Sequence, residues 1–338
     1  MVEATGVAWV AWLVLQVAIA AVGTWMARRY ALRRELLDQP GERRSHRVPT
    51  PRGGGIGIVL SLLLSLAWLA AHPSAHASAH ASMLLSTAIG VALIAAIGWL
   101  DDHRPLSPWP RLLVQAVAAL ALAWGIQAEG GGAGAMVLAF VAAMVLTNVW
   151  NFMDGIDGLA ASQALLAAAA YGVFAGPGGV GGLAFCLAAA CLGFLPFNLP
   201  QARIFLGDVG SGTLGYALAA LVAWLSLESG ARAPLLLLPL SAFLIDASLT
   251  LVRRAATGQR WWLPHAEHAY QYWARLRGHG RVTLAYAGWT LLACLAMLAG
   301  RTAAPAFIII GLLVVGLAGG GAWAYLRWTS QGQEDTRE

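Results

Sequence analysis

Long apolar runs, each closed by a short polar or glycine-rich break, set the pattern of this chain. A helix needs about 20 mostly apolar residues to cross a bilayer, with a range of roughly 17 to 25. Eleven runs answer to that length: 7–26, 55–71, 83–100, 111–127, 135–151, 159–175, 180–196, 211–228, 233–252, 282–300 and 305–326. The glycine- and proline-containing breaks between them read as turns. The pattern predicts an all-α integral membrane protein: one polytopic domain over 1–338, a bundle of about 10–11 transmembrane helices. Two arginine-rich loops, 27–54 and 253–281, and a polar tail at 327–338 interrupt it. The first run, Val7 to Met26, has no basic region before it and no small-residue cleavage site, and its arginines follow it. It reads as a retained span rather than a secretory signal.

Composition agrees. Apolar residues make up 59% and charged residues 11% of the 338, against roughly 25% charged in ordinary soluble domains. The bilayer is therefore the expected surrounding, and no nucleic-acid partner is expected. Cys186, Cys191 and Cys294 lie inside apolar runs and read as small hydrophobes, without disulfide or metal-ligand spacing. All 21 basic side chains are arginines, which suit planar, bidentate contact with phosphate.

Arginine also orients the spans. Arg28, Arg29, Arg33, Arg34, Arg43, Arg44, Arg47 and Arg52 follow the first span, and Arg253, Arg254, Arg260, Arg275, Arg277 and Arg281 follow the ninth. Both segments are cytoplasmic by the positive-inside rule. Counting spans between them puts the linkers 101–110, 152–158 and 197–210 on the same side. The linker 72–82, with His72, His76 and His80 at four-residue spacing, falls on the other side; its proline and Ser-Ala repetition favour a loop over a metal-binding helix face.

Those three cytoplasmic linkers hold the candidate chemistry, because carboxylates near membrane depth are costly and usually functional. Asp101-Asp102 closes the third span in GWLDDHRP, with Arg111 shortly after. Adjacent residues on a helix point about 100° apart, so the two carboxylates can take different roles. Asn148, Asn151, Asp154 and Asp157 repeat every third residue and, if helical, would share one face. Asp208 stands between Gly207 and Gly210-Ser211 at the start of the eighth span, a turn able to cradle an anion at a helix N-terminus. An aspartate there would repel phosphate unless a divalent cation lay between, and magnesium takes one or two carboxylates plus phosphate oxygens and water. His265 and His268 occur among Trp261, Trp262, Tyr270, Tyr272 and Trp273, which suits an interfacial segment serving as a lid. Asp246, inside the ninth span, fits helix packing and the site equally.

Five motifs in order resemble one family: ERRSHRVPTPRGGG (42–55), DDHRPLSPWPR (101–111), NVWNFMDGIDGLA (148–160), FNLPQARIFLGDVGSGTLG (197–215) and HAEHAYQ (265–271). The chain resembles the polyprenyl-phosphate N-acetylhexosamine-1-phosphate transferases, glycosyltransferase family 4. The resemblance implies that a UDP-N-acetylhexosamine reacts with undecaprenyl phosphate, releasing UMP and leaving a lipid-diphosphate-sugar, in a bacterial inner membrane. It implies Mg2+ or Mn2+ on Asp208 and Asp102, with Asp101, Asp102, Asp154 and Asp157 catalytic and Asp101 the base candidate. Asn151, Asn198, Arg111, His265, His268, Gly207, Ser211, His46 and Arg52 are the implied substrate-binding residues. A homodimer is left open, as is the choice between direct attack and a covalent phosphosugar on an aspartate. One departure stands out: where relatives carry Asp-Arg and then His-x-His-His, this chain reads His265-Ala266 and His268-Ala-Tyr270-Gln271. That form looks more like the O-antigen-initiating branch than the peptidoglycan-type phosphomuramoyl-pentapeptide transferase. A transporter with intramembrane carboxylates is the rival of another class; it predicts aspartates at mid-span.

Overall fold

A computed structural model of the chain describes residues 2–39, 48–72, 80–176, 178–260, 263 and 265–334. The expectations placed on His46, Arg43, Arg44, Arg47, His76, Trp261 and Trp262 fall outside these residues. Twelve α-helices are described: α1 (Val2–Arg33), α2 (Ile56–Ala71), α3 (Ala81–His103), α4 (Pro108–Ala128), α5 (Ala133–Phe152), α6 (Leu159–Ala175), α7 (Gly179–Asn198), α8 (Gly207–Ser229), α9 (Ser241–Ala256), α10 (Ala269–Arg277), α11 (His279–Ala299) and α12 (Pro305–Glu334). Eight helical stretches among the described residues are long and apolar enough to cross a membrane, and α2 and α6 are shorter apolar helices. This is the all-α polytopic membrane architecture that the hydrophobic runs predict.

The expected span 233–252 departs from a single helix. Pro234 and Pro239 remove backbone donors and crowd the carbonyl four residues back, so Gly230–Leu240 winds as a 3-10 segment and α9 begins only at Ser241. The Asn148–Asp157 run departs too. Helix α5 stops at Phe152 before the glycines, so Asp154 and Asp157 lie in the turn 153–158 instead of continuing the helical stripe.

Helix α8 is the central element. Every residue from Val209 to Leu225 is buried, and α3 and α5 flank it most closely. Small residues set that approach: a Cβ on Gly98 of α3 would lie 2.5 Å from the Asp208 carbonyl oxygen. The N-terminus of α8 is thereby seated against the C-terminus of α3. Helices α1, α2 and α7 pack as a second group, with α6 on α7. Helices α9, α11 and α12 gather around the 3-10 segment. Leu113, Leu284, Phe307 and Leu317 are left exposed on the outer helices, as lipid contact requires.

Two short strands, β1 (Leu37–Asp38) and β2 (Thr50–Pro51), pair antiparallel with Leu37 opposite Pro51. Beyond β2 the chain stays tied to the segment before α8. The Phe205 amide donates to the Pro51 carbonyl at 2.8 Å, and the Gly54 and Gly55 amides donate to the Phe205 and Leu206 carbonyls, each at 2.9 Å. These bonds carry Arg52 to the start of α8. His72 and His80, at the far linker, have separate partners: His72 bonds the Trp68 carbonyl at 3.0 Å, and His80 pairs with Glu129 at 3.2 Å.

Candidate active site

The site is organised around the first turn of α8. A helix N-terminus leaves amide donors unsatisfied, and Asp102 from α3 supplies them. Its Oδ1 accepts the Asp208 N–H at 3.0 Å and its Oδ2 the Val209 N–H at 3.2 Å. Asp102 is 4% exposed, so this cap is an interior contact. Gly207 makes it possible: its φ is +75°, and a Cβ there would fall 2.6 Å from Asp102 Oδ2. Both oxygens of Asp102 are turned toward α8, which sets its catalytic and metal assignments apart from that of Asp208.

Asp208 follows as the projecting carboxylate. Asn151 Nδ2 donates to its Oδ1 at 2.6 Å and reaches Ser211 Oγ at 3.1 Å. Arg111 at the start of α4 joins three groups: Asp101 Oδ2 at 2.9 Å, Asp208 Oδ2 at 3.5 Å and Asn151 Oδ1 at 3.3 Å. The Leu106 N–H also donates to Asp101, at 2.6 Å. The ends of α3, α4, α5 and α8 therefore meet in one network, across contacts 40 residues apart for Arg111 with Asn151 and 57 for Asn151 with Asp208. Arg52 adds positive charge felt by Asp102 and Asp208, and its Nε is buried without a hydrogen-bond partner among the described residues.

Asp154 differs from the others. It is half-buried in the turn after α5, and the charges that act on it among the described residues are carboxylates. Desolvation foremost, and then the carboxylates of Asp208, Asp102 and Asp157, hold its carboxyl well above the ordinary range. Asp157 faces elsewhere. Its Oδ2 lies 3.2 Å from His279 Nδ1 on α11, and its carbonyl accepts the Thr283 hydroxyl at 2.8 Å.

Asn198, expected to bind substrate, uses both amide groups inside the protein. It accepts the Gly158 N–H at 2.7 Å and donates to the Ile204 carbonyl at 2.9 Å. It clamps the turn after α5 to the segment before α8. Asn148 likewise bonds Gln115 at 2.8 Å. Asp246, balanced between packing and chemistry in the sequence, caps α10: it accepts the Ala269 N–H at 2.8 Å, the Tyr270 N–H at 3.0 Å and the Tyr286 hydroxyl at 2.7 Å.

The capped turn, His265–Gln271, closes one side of the site. Tyr270 Oη donates to the Phe152 carbonyl at 2.9 Å, and the His268 ring stacks on Phe152 with centroids 6.1 Å apart. His268, 2% exposed, forms a capping box with Gln271. Burial foremost, with His268, Arg254 and Arg327 nearby, pushes His265 down to about 4, so it is neutral at pH 7. His279 and Thr283 carry no motif and escape a reading by sequence; only the packing of α11 on α6 brings them to Asp157.

Among the described residues no three His, Cys, Asp or Glu side chains converge as a metal cage. Magnesium does not require one, since it keeps waters and uses one or two carboxylates with substrate phosphates. A desolvated Asp154 in the field of Asp208 fits that donor set.

Fold and site together define a polytopic membrane protein whose carboxylates are gathered at the capped N-terminus of a buried helix. Comparison with known proteins gives the family. The model of glycosyl transferase family 4 matches residues 84–226. The decaprenyl-phosphate N-acetylglucosaminephosphotransferase of Mycobacterium tuberculosis is 30% identical over 314 residues, covering 80% of this chain and 78% of its own length. A probable undecaprenyl-phosphate N-acetylglucosaminyl 1-phosphate transferase of Bacillus subtilis is 27% identical over 265 residues, covering 73% and 72%. A phospho-N-acetylmuramoyl-pentapeptide-transferase of Moorella thermoacetica is 37% identical over 164 residues, covering 40% of this chain and 52% of its own. The chain belongs to glycosyl transferase family 4.

Proposed function

We propose that the protein transfers N-acetylhexosamine 1-phosphate from a UDP-sugar to a polyprenyl phosphate such as undecaprenyl phosphate, releasing UMP at the cytoplasmic face of a bacterial inner membrane. The observation that carries this reading is the Asp101–Arg111–Asp208–Asn151 network beside Asp154. It places cationic and anionic groups together at a helix N-terminus, as transfer between two phosphates needs. The names of the broadly covering relatives, which act on polyprenyl phosphates and N-acetylglucosamine, support an N-acetylhexosamine donor. The His-Ala-Tyr-Gln turn supports an O-antigen-type pathway over the peptidoglycan type.

In this account Asp208 and Asp154 would hold a divalent cation, Mg2+ or Mn2+, which would supply positive charge against that of the diphosphate. Asp102 fixes Asp208 by capping α8. Arg111 and Arg52 take phosphate oxygens. When acceptor phosphate draws Arg111 away, Asp101 is freed to accept its proton, and the phosphate oxygen then attacks the donor's sugar-bearing phosphorus as UMP leaves. The partly open apolar cavity of about 370 Å³ between α9, α10, α11 and α12 suits a prenyl chain. None of the five clustered aspartates lines it; the one carboxylate at its wall among the described residues, Asp246, is turned to the α10 amides and the Tyr286 hydroxyl.

A transporter would place carboxylates along a mid-membrane path. Asp246 is the aspartate farthest inside a helical span, and it serves as a helix cap. The reading is tested by supplying purified protein with a panel of UDP-sugars. UMP should appear only when polyprenyl phosphate and Mg2+ are both present. Solute uptake into vesicles without UMP release would sink the enzyme reading.

A further inference from the structure

We infer that Arg327, on the terminal helix α12, is a positioning residue that latches the His265–Gln271 turn against the acidic site. This inference rests on the proposed function for its catalytic consequence, but the latch itself rests on contacts alone. Arg327 lies 101 residues beyond the region matched by the family model, on the last described helix, and no motif marks it.

Its surroundings are built for a guanidinium. Arg327 is 5% exposed. Its Nη1 donates to the Glu267 carbonyl, and its plane lies over the rings of Tyr272 at 4.9 Å and Trp323 at 5.5 Å. A planar cation can donate at its edge and stack on its faces at once, which an ammonium cannot. The neighbours extend the clamp. Trp323 Nε1 donates to Thr250 Oγ1 at 3.2 Å, and that hydroxyl donates to Asp246 Oδ1 at 3.3 Å. Arg253 and Arg254 pair with the Glu267 carboxylate. Helices α9 and α12 thus hold the same turn, one by its carboxylate and amides and the other by its carbonyl.

The opposite side of the turn faces the site. Tyr270 Oη bonds the Phe152 carbonyl at 2.9 Å. A Cβ on Gly155 would fall 2.2 Å from that oxygen. No slack separates the latched turn from the backbone that carries Asp154. Releasing Arg327 therefore loosens the wall against which the 153–158 turn is set. The geometry of donor binding, rather than the identity of any reacting group, is what should change.

The test compares full-length wild-type protein with Arg327→Ala, Arg327→Lys and, as a control on the lipid-exposed face of α12, Leu317→Ala. Backbone hydrogen exchange is followed by mass spectrometry in detergent. Amides from Glu267 to Gln271 should exchange roughly 10- to 100-fold faster in Arg327→Ala, the range for loss of one charged hydrogen bond. Arg327→Lys should fall between, and Leu317→Ala should match wild type. In UMP-release assays Arg327→Ala should raise the UDP-sugar KM with a smaller change in kcat. Unchanged exchange at 267–271 overturns the latch, as does acceleration spread equally through α9 and α11. If wild-type protein releases no UMP while the exchange pattern holds, the latch stands and the transferase reading fails.

Discussion

Replacing Asp102 by asparagine separates a structural carboxylate from a chemical one. In the native protein its two oxygens accept amides of α8 at 3.0 and 3.2 Å. Asparagine keeps one acceptor oxygen and points an NH2 group at the other amide, so one hydrogen bond to a charged group is lost, about 1.5–3 kcal/mol. Removing a negative charge beside Asp208 and Asp154 offsets part of that, leaving a cost of about 2 kcal/mol. Alanine gives up both bonds and should cost about 4 kcal/mol. In a chain of this size each kcal/mol lowers the midpoint by about 2 °C, so Asp102→Asn should melt about 4 °C lower and Asp102→Ala about 8 °C lower. The buried thiols of Cys186, Cys191 and Cys294 provide the assay, since a thiol-reactive dye labels them only on unfolding. Asp102→Asn should retain measurable turnover below its midpoint. An unchanged midpoint with abolished turnover would refute the capping argument and return Asp102 to the chemistry.

Arg111→Gln leaves Asp101 without its guanidinium across a part-exposed pair, a loss of about 1.5–3 kcal/mol for a hydrogen bond to a charged group; it should lower both the midpoint and kcat/KM, whereas Arg111→Lys should lower mainly the latter. Asp154→Asn should cut turnover roughly 10²–10³-fold, as for loss of one electrostatic stabiliser of the transition state, while raising the melting temperature at neutral pH. The sign follows from its raised carboxyl pKa: the folded protein binds that proton more tightly than the unfolded chain, so native stability falls as pH rises above 3.8 toward the raised value, and asparagine removes that slope. His265, held at about 4 against 6.5, gives the opposite slope, with stability lost as pH falls from 6.5 toward 4. Thermal midpoints of His265→Gln across that window should decline less steeply than those of wild type.

The membrane architecture was legible because lipid imposes length and polarity on every span. The single-helix reading of 233–252 missed only what Pro234 and Pro239 do to backbone bonding. Gathering of the three acidic linkers was legible too, through arginine asymmetry and span counting, and Asp101, Asp208, Asn151 and Arg111 do meet. Individual roles were less legible. Asp102 looks like a site residue in sequence and Asp246 fits packing or site equally; each caps a helix from another part of the chain, and Asn198 bonds only backbone. A cap between distant elements leaves no local spacing, since its partner is an amide that any residue supplies. His279 and Arg327 were hidden for the same reason: their partners are a turn and a carbonyl brought near by packing.

The most direct test of the central claim is a magnesium titration of UMP release from UDP-N-acetylglucosamine by wild type and Asp208→Asn in detergent with polyprenyl phosphate. Wild type should release UMP in proportion to lipid-diphosphate-sugar formed, with saturable dependence on the metal. Asp208→Asn should melt within a few degrees of wild type and release none at any metal concentration. Turnover by Asp208→Asn at the wild-type rate, or metal-independent release by wild type, would contradict the account.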